Sequence, residues 1–267
     1  MWVTAILGMP IMFGEAVLAQ IFRVKNEDGT TFRGGPAYYM RRGLNAKVLP
    51  ILFSISVILG NGVVYCMVQS NSIAGSFSGQ AELPPLAIGV ILVALVGLVI
   101  FGGIKRLSTA ASYIVPFMAF AYIILALVVL VTHAEWIAAM FRLIIDSAFG
   151  VQQAAGGVLG YSVQEAFRYG VARGLFSNDA GAGTTPSMHA AANVKHPVNQ
   201  GLSGMLGVFV TTIIVCSCTA FCILLSGALN GSLTGIQLTQ AAFSSSFGDL
   251  GYWLVAAAMF LFGYTTL

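Results

Sequence analysis

The chain has 267 residues, 58% of them hydrophobic and only 8% charged, with a mean hydropathy of +0.89; soluble domains carry about 25% charged residues. Such a composition excludes a soluble globular domain and identifies an integral membrane protein. It is an all-α polytopic one, since apolar blocks of about 20 residues recur and the ten-residue alternation of a barrel strand is absent. The net charge of +3 does not point to nucleic acid, because the basic residues stand in loops beside apolar blocks, where they set orientation.

The first apolar block is under way at Met1 and Trp2 and continues to Phe22. With no charged leader and no small-residue cleavage site, it reads as a span and not as a signal peptide. Glu15 lies within it beside Gly14. An ionisable group at that depth is either functional or a carboxylate hydrogen-bonded to a neighbouring helix. A polar loop follows with Arg23, Lys25, Arg33, Arg41, Arg42 and Lys47 against Glu27 and Asp28, so the 23–47 loop is expected to be cytoplasmic. Within it, GGPAYYM supplies a turn at Gly34-Gly35-Pro36. Tyr38 and Tyr39 suit anchors at the membrane interface.

The second block, about Val48 to Ser78, carries Asn61, Gln69 and Asn71. Eight residues at 3.6 per turn put Asn61 and Gln69 on nearly one face. Amides there act either as interhelical glue beside Gly60, Gly62 and Gly75 or as contacts to a polar substrate group. The joint QAELPP turns the chain outside, and the third block ends at Lys105 and Arg106 on the cytoplasmic side. The fourth, Ser108 to Thr132, contains Pro116. The following HAEWIAAMFRLIIDSAFG, with Trp136, Phe141, Arg142 and Asp146, suits an interfacial helix on the outer side.

From Ala154 to Gly201 the pattern changes. Gly, Ser, Thr and Asn crowd together with Glu165, Arg168, Arg173 and Asp179. Lipid cannot satisfy free backbone N–H and C=O groups, so irregular polar backbone survives between spans only when wrapped in protein or lining a wet cavity. A broken helix near 154–192 is therefore expected, the usual pointer to a transporter's substrate and ion pocket. Gly181-Ala182-Gly183-Thr184-Thr185 is not a phosphate loop, since no Gly-Lys-Ser/Thr follows. His189 and His196 lack an acidic partner for a metal and suit a cytoplasmic helix end.

A sixth block, Gly201 to Gly227, holds Cys216, Cys218 and Cys222, which behave there as small hydrophobes and imply no disulfide. A Ser/Thr/Gly/Gln loop to Gly248, expected outside, leads to a last block, Asp249 to Leu267, that stops on GYTTL. The expectation is one transmembrane domain over 1–267 with about seven membrane segments, cut at both ends. Glu15, Glu165 and Asp179 do not form a convergent catalytic set by spacing, so an enzyme is not expected.

The run RYGVARGLFSNDAGAGTTPSMHAAANVKHPVNQG resembles the signature of the sodium:alanine (alanine or glycine:cation) symporter family. GGPAYYM, GNGVVYCMVQSNSIAG and FGGIKR resemble its other characteristic segments in the same order. The resemblance implies a LeuT-type fold of two inverted repeats, incomplete at both ends here, with this chain covering core helices two to eight. It further implies location in the inner membrane and uptake of alanine or glycine driven by sodium as coupling ion, with no other cofactor or metal. By the same resemblance Gln69 offers an amide to substrate. Phe176, in the unwound segment with Ser177, Asn178 and Gly181, walls the substrate methyl. Thr266 lies near substrate, and Thr265 and Thr266 lie near sodium. The partners so implied are alanine or glycine, sodium and the lipid bilayer.

Overall fold

The computed structural model describes every residue except 27, 28, 30, 79–83, 102, 150–157 and 229–232. Glu27 and Asp28 of the first loop, most of the QAELPP joint, the first residues of the 154–201 segment and part of the 227–248 loop therefore lie outside the described residues.

The described chain is helical apart from one small hairpin, as a backbone that must satisfy its own polar groups in lipid requires. Among the described residues four helical stretches are long and apolar enough to cross a membrane: Trp2–Ile21, Leu49–Phe77, Ala111–Thr132 and Pro197–Leu225. Pro85–Ile100 is apolar but shorter. Its 16 residues span about 24 Å at 1.5 Å each. Two of the long stretches contain a π-helical turn, Gly60–Tyr65 and Phe209–Val215. The first of these overlaps the interval from Asn61 to Gln69. A π turn takes in more residues than an α turn, so the eight-residue spacing comes closer to two whole turns.

The 23–47 loop is more ordered than its composition implies. Strands β1 (Val24–Lys25) and β2 (Phe32–Arg33) pair antiparallel, Val24 opposite Arg33. The guanidinium of Arg23 lies 3.9 Å from the centre of the Phe32 ring. Helix α2 (Pro36–Gly43) then starts from Gly35 at φ +119, a backbone state that glycine adopts without strain.

Contacts divide the chain into two compact units, residues 1–62 with 150–217, and 63–149 with 218–267. The first is organised around α1 (Trp2–Ile21). Against it pack α8 (Val158–Asn178), α9 (Thr185–Ala191) and α10 (Pro197–Val208). Glycines allow that closeness. Gly174 leaves room for Thr4, Gly201 for Phe13 and Val17, and Gly204 for Met12. Ala5, Met12, Ala180 and Val208 form the buried cluster. At the far end of α1, Gln20 donates to the carbonyl oxygens of His189 and, at 3.1 Å, Ala192. Arg23 donates to Ala192 O at 2.6 Å. Together they serve carbonyls at the C-terminus of α9, where His189 O also accepts from the Ala192 amide.

The second unit is organised around α13 (Asp249–Thr266), which packs on α12 (Ile236–Phe247), α4 (Cys66–Phe77) and α6 (Gly103–Thr132). Gly248, at φ +60, turns α12 into α13. Ile73 fills the space beside Gly263, and Ile73, Ile88 and Leu92 form the buried cluster with α5 (Pro85–Ile100). Gln240 Nε2 donates to Ser76 O at 2.7 Å, and Tyr264 donates to Leu95 O at 3.0 Å. These are the interhelical polar bonds by which packed membrane helices are pinned. The stretch expected to form an interfacial helix is helical, a single 3₁₀ turn, Ala134–Trp136, leading into α7 (Ile137–Phe149), with Arg142 and Asp146 3.9 Å apart on its exposed side.

Candidate functional site at the helix break

Helix α8 ends at Asn178 and α9 begins at Thr185. Between them Asp179, Gly181 and Gly183 take φ of +53, +88 and +78, so left-handed residues alternate with ordinary ones and no helix can continue. Only glycine does this freely, and Asp is among the few other residues that tolerate it. Pro186 in the first turn of α9 restarts the helix where a missing N–H does no harm.

Asn178 and Glu15 take up part of the polar backbone thus released, and Asp179 gathers neighbouring hydroxyls. Asn178, 5% exposed, accepts from Ala180 N at 3.0 Å and donates to Thr4 O on α1 at 3.3 Å. Asp179 Oδ2 accepts from the hydroxyls of Thr185, at 3.0 Å, and Thr184. Glu15 Oε2 accepts from Gly181 N at 3.1 Å, and the amide of Gly183 also faces that carboxylate. The hydrogen-bonded reading of Glu15 holds in this arrangement. It is hydrogen-bonded to a neighbouring element, and that element is the break itself.

Tyr39, expected to anchor the chain at the interface, stands in α2, which packs against α1, and its phenol comes under the influence of Glu15. Burial first, and the Glu15 carboxylate second, push the Tyr39 hydroxyl up to about 12. Tyr39 therefore remains a neutral hydrogen-bond donor at any physiological pH. His189, in α9, is held below its usual 6.5 by burial and is neutral, with Gln200 Nε2 2.6 Å from Nδ1. His196 caps α10, its Nδ1 accepting from Val198 N at 3.3 Å. Among the described residues no group of three or more His, Cys, Asp and Glu is arranged for a metal.

The structure brings part of the expected site together. Phe176, Ser177, Asn178 and Gly181 share the end of α8 and the break. Ser177 Oγ lies 3.0 Å from Thr212 Oγ1 and 3.1 Å from Cys216 Sγ, and Phe176 is 42% exposed. Gln69, Thr265 and Thr266 belong to the second unit. There the side chain of half-buried Gln69 approaches Gly263 of α13. Thr265 donates to Leu261 O and Phe262 O at 3.1 and 3.0 Å, and Thr266 to Phe262 O at 2.8 Å. Bonds of this kind use the hydroxyl hydrogen and leave oxygen lone pairs to face a cation. Reasoning from sequence missed Thr4, Tyr39 and Thr212, and also the way Asp179 gathers Thr184 and Thr185. The one local signal was an Asp inside a glycine-rich run, since Asp both tolerates the left-handed state and bonds its own following turn.

The profile described as the sodium:alanine symporter family matches residues 1–267. Among curated relatives, an uncharacterized transporter of Haemophilus influenzae is 44% identical over the whole of this chain and 56% of its own length. The probable sodium/glutamine symporter GlnT of Bacillus subtilis is 42% identical over the whole chain and 55% of its own length. The sodium/alanine symporter AgcS of Methanococcus maripaludis is 36% identical over the whole chain and 59% of its own length. The chain thus spans a little over half the length of these relatives.

Proposed function

The chain belongs to the sodium:alanine symporter family, and from that premise we propose that it serves cation-coupled symport of a small neutral amino acid, alanine or glycine, with sodium as the coupling ion. The family is one of transporters, not enzymes. The proposed working frame is a LeuT-type inverted repeat in the inner membrane, which exposes one site alternately to either side, with the 23–47 loop in the cytoplasm.

The observation that carries this reading is the break at 179–184. A zwitterion needs N–H groups for its carboxylate and oxygen acceptors for its ammonium, both held away from bulk water. An interrupted helix with left-handed residues offers backbone groups of both kinds. In this reading Phe176 limits the pocket to a methyl or a hydrogen, Ser177, Asn178 and Gly181 shape its polar wall, and Gln69 and Thr266 reach substrate. The hydroxyl oxygens of Thr265 and Thr266 join helix carbonyls in holding sodium. Hydroxyl and carbonyl oxygens suit a hard monovalent cation that must also leave.

Uptake into proteoliposomes tests the proposal, with this chain exchanged for the matching segment of the Methanococcus symporter. Labelled alanine and glycine are expected to accumulate only under an inward sodium gradient, and Gln69→Ala or Thr266→Ala to weaken apparent affinity at least about tenfold, as for a bond to a charged group. Accumulation without sodium would remove the coupling ion. Uptake of glutamine in place of alanine would remove the small-pocket reading.

A further inference from the structure

We infer that the turn joining α2 to α3 (Leu49–Leu59) is a docking surface for anionic lipid headgroups, built from Arg41, Arg42 and Lys47 around exposed Leu44 and Val48. Arg41 and Arg42 occupy the last turn of α2. There Asn45 enters the left-handed region at φ +51, and Ala46 N donates to Met40 O at 3.2 Å. A bond six residues back across a left-handed residue closes the helix end and folds the chain back beside it. Lys47 is thereby returned to the end of α2 that carries the two arginines. This cap serves the Met40 carbonyl through a backbone amide and uses neither guanidinium.

All three basic side chains are exposed, and among the described residues none has a carboxylate within ion-pair distance. Arg23 differs, being occupied by the Phe32 ring and the end of α9. Leu44 and Val48 are 70% and 66% exposed, an unfavourable state for large apolar groups in water. Leu49 opens a stretch apolar enough to cross the membrane, so the turn sits where that stretch meets the headgroups. Apolar residues that dip into the acyl boundary below a basic cluster are the arrangement by which amphipathic segments hold anionic lipid. Charge complementarity and continuity with the membrane span thus point to one occupant, a phosphate-bearing anionic lipid. The inference rests on Leu49–Phe77 crossing the membrane and not on sodium-coupled transport, so either can fail without the other.

The test uses the whole chain purified in neutral detergent and titrated with phosphatidylglycerol or with phosphatidylcholine of the same acyl chains. The native chain is expected to prefer phosphatidylglycerol, with a preference that weakens as salt is raised. Each basic residue near an anionic surface corresponds to about a fivefold effect, so Arg41→Gln with Arg42→Gln and Lys47→Gln should lower that affinity about a hundredfold. Arg41→Lys with Arg42→Lys, which keeps the charge, should retain it. If the triple variant does not fold, Lys47→Gln alone is expected to show the fivefold loss. Equal binding of the two lipids by the native chain, or an unchanged preference in a folded glutamine variant, would overturn the inference.

Discussion

Helices in this protein are interrupted in two different ways. At Gly60–Tyr65 and Phe209–Val215 the helix widens into a π turn. The backbone stays bonded to itself and only the phase of the side chains changes. At Asp179–Thr184 three left-handed residues stop the helix altogether; Asn178 and Glu15 accept from its freed amides, and Asp179 gathers the Thr184 and Thr185 hydroxyls. A π turn can therefore re-aim side chains without exposing backbone. A full break exposes backbone polar groups, at the expense of side chains that must stand in for the missing turns. The two kinds meet where Ser177, one residue before the end of α8, bonds Thr212 of the second π turn.

The comparison is broken most forcefully by filling the break. A Cβ at Gly183 would lie 2.8 Å from the Phe53 ring and 3.0 Å from Pro36, at a φ of +78. Gly183→Ala should therefore destabilise the chain by about 2–4 kcal/mol, from backbone strain and overpacking together. Gly60, in a π turn with nothing near its hydrogens, should accept alanine with a change below about 1 kcal/mol. Thermal unfolding in detergent compares the two, and equal losses would mean that the break and the π turn are equally tolerant.

Next in size is Glu15. Glu15→Ala leaves the Gly181 amide without its charged acceptor, a loss of about 1.5–3 kcal/mol, whereas Glu15→Gln keeps an acceptor oxygen and should lose about half of that or less. Amide hydrogen exchange over 179–184 reads it directly. Faster exchange confined to these amides is expected, and unchanged protection in the alanine variant would mean that the carboxylate does not hold the break.

Thr212 links the two kinds of interruption and is fully buried. Thr212→Val keeps its shape and removes the bond to Ser177, with an expected loss of about 0.5–1.5 kcal/mol in thermal unfolding. A double-mutant cycle with Ser177→Ala should recover that same coupling. Additive effects of the two substitutions would show the hydroxyl pair to be incidental.

The smallest effect is expected from pH. Burial holds the pKa of His189 below 6.5 in the folded chain. As pH falls through about 6.5 the unfolded chain takes up the proton first, so this residue's contribution is complete above that pH. It is lost progressively below, down to the folded pKa. Melting measured from about pH 7.5 to pH 5.5 should show a decline that His189→Gln reduces. An identical decline in the variant would assign it to other groups.

Hydropathy and composition by themselves determined that the chain is a helical membrane protein, where its apolar blocks lie and which segment is broken. These are local properties, because lipid forces each stretch to satisfy its own backbone, and a run of Asn, Asp and Gly betrays the place where it does not. The π turns were not legible, since the Gly60, Asn61 and Gly62 of one and the Thr211 and Thr212 of the other are tolerated in any membrane helix and mark no change of phase. Tertiary structure alone decided the partners: that Glu15 meets Gly181 from 166 positions away, that the Glu15 carboxylate acts on the Tyr39 phenol, and that Gln69 lies against Gly263 of α13. Which side chains complete a broken helix depends on which helices glycine lets close together, and no periodicity along one segment records the surface of another.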